Sequence, residues 1–83
     1  MKLLYFAWVR QKIGKNEETL ALPPSVATIA DLAAHLRGQG PGYADAFADA
    51  ALLRAARNQE HVSFDAPIGP DDEIAFFPPV TGG

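Results

Sequence analysis

The sequence predicts an α+β domain in which one main helix packs across a mixed β-sheet and a flexible tail follows at the C-terminus. Three observations predict it: strand-like segments open the chain, one amphipathic helix follows, and further strand-like segments close it. The chain has 83 residues, of which 48% are apolar. That content is enough for one small core. We therefore expect a folded domain over residues 1–77 and a tail over residues 78–83.

The first segment, residues 3–9, is a nearly continuous run of aliphatic and aromatic side chains. Such a run predicts a buried strand with both of its faces covered. Residues 11–16 contain glycine and asparagine, which predict a turn. Residues 17–22 alternate weakly and predict a second strand, which Pro23 and Pro24 end because proline donates no ladder hydrogen bond. Together these segments predict a β-hairpin.

The main helix begins after Thr28, a good N-cap residue, and carries Asp31 in its first turn, where a negative charge favours the helix dipole. Its apolar residues recur at i, i+3, i+4 and i+7, the spacing of one buried helix face. These residues are Ile29, Leu32, Ala33 and Leu36. Gly38 and Gly40 supply the stop, and Pro41 prevents continuation.

The segment 43–57 allows two interpretations. It contains seven alanines, whose helix propensity favours one long helix. Alternatively, a short helix over residues 43–49 is followed by a strand, because Asn58-Gln59-Glu60 is typical of a turn between two strands. The residues alone leave open whether 50–57 is helix or strand.

The last strand covers residues 73–77, after a turn-rich stretch at 65–72. Side chains alternate along a strand, so Ile74 and Phe76 are expected in the core and Phe77 on the other face, at least partly exposed. The first strand is apolar enough to lie in the interior of the sheet. With the last strand parallel beside it, the arrangement is the ubiquitin-like β-grasp, which sends the tail out from one edge.

Composition excludes several classes of function. The chain has no cysteine, which removes disulfides, a thiolate nucleophile and cysteine metal sites, and fits the reducing cytoplasm. No apolar run has the length that a membrane span needs. A net charge of -3 argues against nucleic-acid binding. The two histidines, His35 and His61, have no matching ligand set, so we expect no metal.

Catalytic signatures are also missing, so we expect no activity from the isolated domain. The remaining candidate is the end of the chain. Pro78 and Pro79 stiffen the base of the tail. Gly82 carries no side chain that would obstruct a narrow tunnel, and Phe77 is a candidate apolar anchor on partners. The proposed threading segment consists of Pro78, Pro79, Val80, Thr81 and Gly82, and the reactive group is the α-carboxylate of Gly83.

The octapeptide at residues 76–83, Phe-Phe-Pro-Pro-Val-Thr-Gly-Gly, resembles the C-terminus of the small, sulfur-carrier subunit of molybdopterin synthase. The first strand, with Leu4-Tyr5-Phe6-Ala7, resembles that family, as do Asn58-Gln59 and Asp71-Asp72-Glu73. The resemblance covers the chain from end to end. It implies the β-grasp fold and favours a short helix followed by a strand in the segment 43–57.

The resemblance also implies a chemistry. An E1-like enzyme adenylates the Gly83 carboxylate with ATP, and a sulfur donor converts the acyl-adenylate to a thiocarboxylate. Adenylation is needed because a carboxylate repels nucleophiles and lacks a leaving group. The tail then enters the large catalytic subunit, in a heterotetramer, where sulfur is transferred to cyclic pyranopterin monophosphate. The domain itself binds no cofactor.

Three alternatives remain at this stage. The chain could be a sulfur carrier for thiamine or another thiolated product. It could be a ubiquitin-like modifier that is attached to lysines. It could also be a β-grasp interaction module with an inert terminus.

Overall fold

The computed structural model describes residues 1–79, which form a five-stranded sheet and a set of helices that pack on one of its faces. The elements in chain order are β1 (Lys2–Tyr5), α1 (Ala7–Ile13), β2 (Glu17–Thr19), α2 (Ile29–Arg37), α3 (Pro41–Ala46), a 3-10 turn (Ala50–Leu52), β3 (Arg54–Arg57), β4 (Glu60–Val62) and β5 (Glu73–Phe77).

The strand order is β2-β1-β5-β3-β4. β1 and β5 are parallel, whereas the other neighbouring pairs are antiparallel. The predicted α+β class, mixed sheet and parallel first and last strands are therefore confirmed. β1 is an inner strand of the sheet, as expected, and β5 is the central strand of the five.

The core lies between the inner face of the sheet and the helices. Ile74 and Phe76 are both fully buried, as the strand alternation predicted. The Phe76 ring meets the Phe47 ring edge to face, with centroids 5.0 Å apart. α2 contributes its complete apolar stripe to the same cluster. None of the helices within residues 1–79 combines the length and apolar character needed to cross a membrane.

The start of α2 follows the prediction closely. The Thr28 side chain accepts a hydrogen bond from the Asp31 backbone N–H, and the Asp31 carboxylate accepts one from the Thr28 N–H. This reciprocal capping box satisfies two N–H groups that the first helical turn leaves unpaired.

The predicted strand over residues 3–9 is wrong in its second half. β1 ends at Tyr5, and the chain turns at Ala7, which has a φ of 54°, into α1. The predicted turn at 11–16 is consequently helical as far as Ile13, and Gly14 ends the helix in the left-handed region with a φ of 89°. β1 and β2 are joined through this helix and not by a tight hairpin turn. A short apolar run does not distinguish strand from buried helix, and Val9 is fully buried from α1.

Two further expectations about this region are corrected. The second strand covers only residues 17–19, and Leu20 and Leu22 pack against the core from the connection that follows. The first strand is also not covered on both faces. Leu4 is only half-buried, and Phe6 just beyond the strand is 49% exposed.

The ambiguous segment contains a short helix followed by a strand. α3 has Pro41 at its first turn, where the missing N–H costs no hydrogen bond. Asn58 and Gln59 join β3 to β4 with φ values of 52° and 71°, as in a two-residue hairpin turn. The Asn58 amide donates to the Asp72 carboxylate at 2.9 Å and accepts from the Glu73 N–H at 2.9 Å. The acidic turn before β5 is thus a structural junction.

A polar cluster ties β2 to the rest of the domain. Tyr5 and Tyr43 both donate to one carboxylate oxygen of Glu18, at 2.8 and 2.6 Å, and Lys15 reaches the other oxygen at 3.3 Å. Partial burial would by itself raise the pKa of Glu18, but the hydrogen bonds from Tyr43, Tyr5 and Lys15 together lower it below the usual carboxyl range. Burial and then the Glu18 hydrogen bond raise the pKa of Tyr5 far above its usual value, so Tyr5 stays a neutral donor.

Replacement of Glu18 should therefore destabilise the domain in a pH-dependent way. Because the folded-state pKa is depressed, the stabilisation is present above the unfolded value of about 4.3 and is lost as the pH falls below it. We expect Glu18→Gln to lower the free energy of unfolding by about 1 kcal/mol at pH 7, since hydrogen bonds to an ionised acceptor become neutral ones.

Urea unfolding at pH 7 and again near pH 3.5 measures this effect. Glu17→Gln is the matched control, because Glu17 makes only an exposed ion pair with Lys2 at 3.3 Å, and such pairs contribute little. A Glu18→Gln deficit that persists unchanged at the acid pH would contradict the ionic origin of the effect.

Candidate functional site

The tail begins at the edge of the sheet where three strand ends meet. β5 ends at Phe77, and its parallel neighbour β1 ends at the same edge, where the Phe6 N–H donates to the Phe76 carbonyl at 3.2 Å. β3 runs the opposite way, so its first residue, Arg54, pairs with Phe77. We call this row of strand ends the tail-exit edge.

Two prolines follow the last strand residue. Pro78 is half-buried and Pro79 is exposed. Neither has an N–H to donate to a ladder, so the strand cannot extend through them. The remaining predicted site residues, Val80, Thr81, Gly82 and Gly83, lie outside the described residues, and their roles stay predictions.

The sheet face that points away from the helices carries a row of small and apolar side chains. The strand registers place Leu4 beside Ala75, Ala75 beside Ala56, and Ala56 beside His61. Phe77 lies on this same outer sheet face, two residues closer to the tail-exit edge than Ala75. The helices contribute their buried side chains to the core on the other face.

Phe77 occupies the accessible position that the sequence predicted for it. It is half-buried, and its ring lies 5.1 Å from the His61 ring, centroid to centroid. Phe6 stands exposed at the end of the neighbouring strand. Phe77 and His61 form a ring pair, and Phe6 adds an exposed ring at the end of β1, where its N–H donates to the Phe76 carbonyl. We call these three side chains, beside the root of the tail, the aromatic group. An exposed apolar group of this kind is typical of a protein-binding surface.

No local pattern in the sequence marks Phe6 and His61 as members of this group. Phe6 belonged to a run predicted to be covered on both faces, and His61 was considered only as a metal ligand. Their proximity to Phe77 depends on which strands pair and in what register, and no local pattern states this.

The candidate site within residues 1–79 is a surface and not a metal centre. Within this range, no group of three or more His, Asp or Glu side chains is placed to hold a metal ion. The ionisable side chains with shifted pKa values make structural contacts, as Glu18 and Tyr5 do. An outer sheet face of this character, next to the root of the tail, is a candidate surface for binding a partner protein.

Comparisons with known proteins agree with this geometry. The chain is 45% identical over 83 residues to the molybdopterin synthase sulfur carrier subunit of Escherichia coli (strain K12), covering 100% of this chain and 99% of the relative. It is 38% identical over 84 residues to the subunit of the same name from Dictyostelium discoideum, covering 99% and 94%.

Among solved structures, the small archaeal modifier protein 1 of Haloferax volcanii matches with a TM-score of 0.76 and 25% identity, covering 96% of this chain and 97% of the other. The predicted ubiquitin-like fold is therefore confirmed. The model of the ThiS family matches residues 3–83. On these grounds the chain belongs to the ThiS family.

Proposed function

We propose that the chain is the sulfur-carrier subunit of a molybdopterin synthase and acts in molybdenum cofactor biosynthesis. The observation that carries this proposal is the 45% identity, over the whole chain, to a subunit of that name. The terminal Gly-Gly and the aromatic group at the tail-exit edge support it. The domain is not an enzyme on its own; it supplies sulfur to a large catalytic subunit.

The proposed reaction takes place at the Gly83 carboxylate. An E1-like enzyme joins a carboxylate oxygen to the α-phosphate of ATP, and pyrophosphate leaves. A donor that supplies sulfur at the oxidation level of hydrosulfide attacks the carbonyl carbon. The bond between that carbon and the AMP oxygen breaks and AMP leaves, which yields the thiocarboxylate. The sulfur is then transferred to cyclic pyranopterin monophosphate, and water restores the carboxylate. Activation is required because the negative charge of the carboxylate repels a nucleophile and its oxygen is a poor leaving group.

The described residues would bind the partner and set the direction of the tail. The outer sheet face, with Phe77, Phe6 and His61 at its tail-exit edge, would bind the large subunit. Pro78 and Pro79 restrict the backbone at the base of the tail, which lowers the entropy lost when the tail is threaded into a tunnel. We further propose that two carriers and two large subunits form a heterotetramer, and that the protein acts in the cytoplasm.

Intact-mass measurement tests this function. The carrier is incubated with a molybdopterin synthase activating enzyme, ATP and a sulfur donor, and the expected product has one oxygen replaced by one sulfur at Gly83. The same sample, added to the large subunit and cyclic pyranopterin monophosphate, should produce molybdopterin. Omission of ATP is the control and should leave the mass unchanged. Failure of the complete mixture to load sulfur would contradict the proposal.

A second candidate function is protein modification, which is favoured by the name of the Haloferax volcanii neighbour. A modifier would form an amide between Gly83 and a lysine amine of another protein. The same mass experiment separates the two, because conjugates on added protein substrates indicate a modifier. An unchanged mass in every mixture would indicate an interaction module with an inert terminus.

A further inference from the structure

A groove on the helical side of the tail-exit edge is not explained by the proposed chemistry. It has a volume of about 230 Å³ and lies between α1 on one side and α3 with the 3-10 turn on the other. Its lining residues are Trp8, Lys12, Asp45, Ala46, Ala48, Asp49 and Leu52. The two walls approach closely because Gly42 faces the Lys12 carbonyl, and any side chain at Gly42 would collide with that backbone.

The apolar part of the groove is open to solvent. Leu52 is 54% exposed, and with Phe6 it is one of the two large exposed hydrophobic residues within residues 1–79. Its neighbour Leu53 is buried in the core, so the 3-10 turn holds one leucine inside and the other outside. Trp8 is half-buried on the facing wall. A partner that covers this pair would remove substantial apolar area from water.

The rim of the groove is acidic. Two carboxylates, Asp45 and Asp49, line it with a single cation, Lys12. The ion pairs found within residues 1–79 are Lys2–Glu17 and Lys15–Glu18, so neither aspartate is neutralised by a salt bridge there. Both aspartates are exposed, and Asp49 also caps the 3-10 turn by accepting from the Ala51 N–H at 3.0 Å. This charge favours a partner with a cationic side chain beside an apolar one.

The two walls of the groove begin close, along the chain, to residues of the proposed docking surface. Trp8 follows Phe6 by two residues, and Leu52 precedes Arg54 by two residues, where Arg54 pairs with Phe77. Both walls therefore start at the edge from which the tail leaves. A protein that encloses the tail root passes over the outer sheet face on one side and reaches this groove on the other.

We propose that this groove, which we call the Trp8–Leu52 groove, binds an apolar side chain flanked by a lysine or arginine on the large catalytic subunit. This inference rests on the proposed function and adds a second contact to it. Two contacts on opposite sides of the tail root fix the direction of the tail better than one. A fixed direction matters because a reacting group that is displaced by about 1 Å loses much of its rate.

The single tryptophan of the chain provides a direct probe. Carrier labelled with 5-fluorotryptophan gives one fluorine resonance, from Trp8, in nuclear magnetic resonance. Saturation with the purified, unlabelled large subunit should shift that resonance. The activating enzyme, added alone, should leave it in place, and so should an increase in the concentration of the carrier.

Two variants test the apolar and the charged parts separately. Leu52→Asp and Asp45→Lys should each raise the Kd for the large subunit roughly tenfold, which is the size of an intermediate hot-spot effect. The Asp45→Lys effect should shrink at high salt. Ala21→Asp and Asp71→Lys are the matched controls, because they make the same charge changes at exposed positions near the opposite edge, where β1 and β5 begin.

The outcomes separate this inference from the function on which it rests. A complex that forms and receives sulfur, but leaves the Trp8 resonance unshifted or binds Leu52→Asp like the parent, overturns the groove assignment alone. A shift with the activating enzyme or with carrier concentration, and none with the large subunit, also overturns it by identifying another occupant. If no complex forms, the proposed function fails, and the inference fails with it.

Discussion

A carrier that lacks Gly83 is expected to accept sulfur at least a hundred times more slowly than the full chain. The shortened chain still ends in a carboxylate, but that carboxylate is withdrawn by one residue, or about 3.5 Å of extended backbone. Reactive groups must approach within about 3–3.5 Å of each other, and a misplacement of 1 Å already costs about a hundredfold. The fold should persist, because the deletion leaves intact the core cluster that residues 1–79 form.

Single-turnover loading, followed by intact mass, measures the rate, and thermal unfolding reports on the fold. Gly83→Ala is the matched control for length, since it keeps the carboxylate in position and adds only a methyl group; it should load faster than the deletion. A deletion that loads sulfur at the parental rate would show that the reactive group is elsewhere. A large drop in the unfolding temperature would show instead that the terminus belongs to the folded core.

The adjacent residues Phe76 and Phe77 are expected to respond in opposite ways to truncation. Phe76 is completely buried and meets Phe47 and Phe64 at centroid distances of 5.0 and 6.3 Å. We expect Phe76→Ala to cost about 3–5 kcal/mol, as for other buried aromatic truncations. A domain of this size is stable by only about 4–12 kcal/mol, so much of its stability would be lost.

Phe77→Ala should leave the fold largely intact and weaken partner binding. The half-buried ring contacts His61 on the outer sheet face, so its removal should cost about 1 kcal/mol of stability, near the average for point substitutions. Binding to the large subunit should weaken by at least tenfold if Phe77 is a hot spot. Urea unfolding and titration calorimetry measure the two effects. A stability loss for Phe77→Ala equal to that for Phe76→Ala would place Phe77 in the core and remove it from the docking surface.

The main helix and the last strand were largely predictable from sequence. In α2, the N-cap, the apolar stripe and the glycine stop agree with one another, so the helix is specified locally. In β5, strict alternation separated Ile74 and Phe76 from Phe77. Both elements also have clear boundaries, at Thr28 for the helix and at Pro78 for the strand. Local sequence is sufficient to predict an element where its periodicity and its terminating residues indicate the same helix or strand.

The N-terminal segment, residues 3–9, was less predictable because its apolar pattern is ambiguous. The run 3–9 is apolar throughout, so it shows neither the period of a strand nor that of a helix. The turn into α1 occurs at Ala7 with a positive φ, a conformation that alanine rarely adopts and that its type does not signal. It becomes favourable when Val9 can be buried from the helix, which depends on residues far along the chain.

The sequence by itself therefore determined the fold class, the main helix and the last strand, and it predicts that the chemistry lies in the terminal octapeptide. The helix, the strand and the octapeptide each depend on residues close together in the chain, and the fold class follows from the order of such segments. Tertiary structure alone decided which surfaces lie beside the root of the tail. Strand pairing placed His61 and Phe6 near Phe77, and the packing of α1 against α3 placed Trp8 opposite Leu52. Such surfaces join residues that are distant in sequence, and only the packing of the whole core fixes their separation.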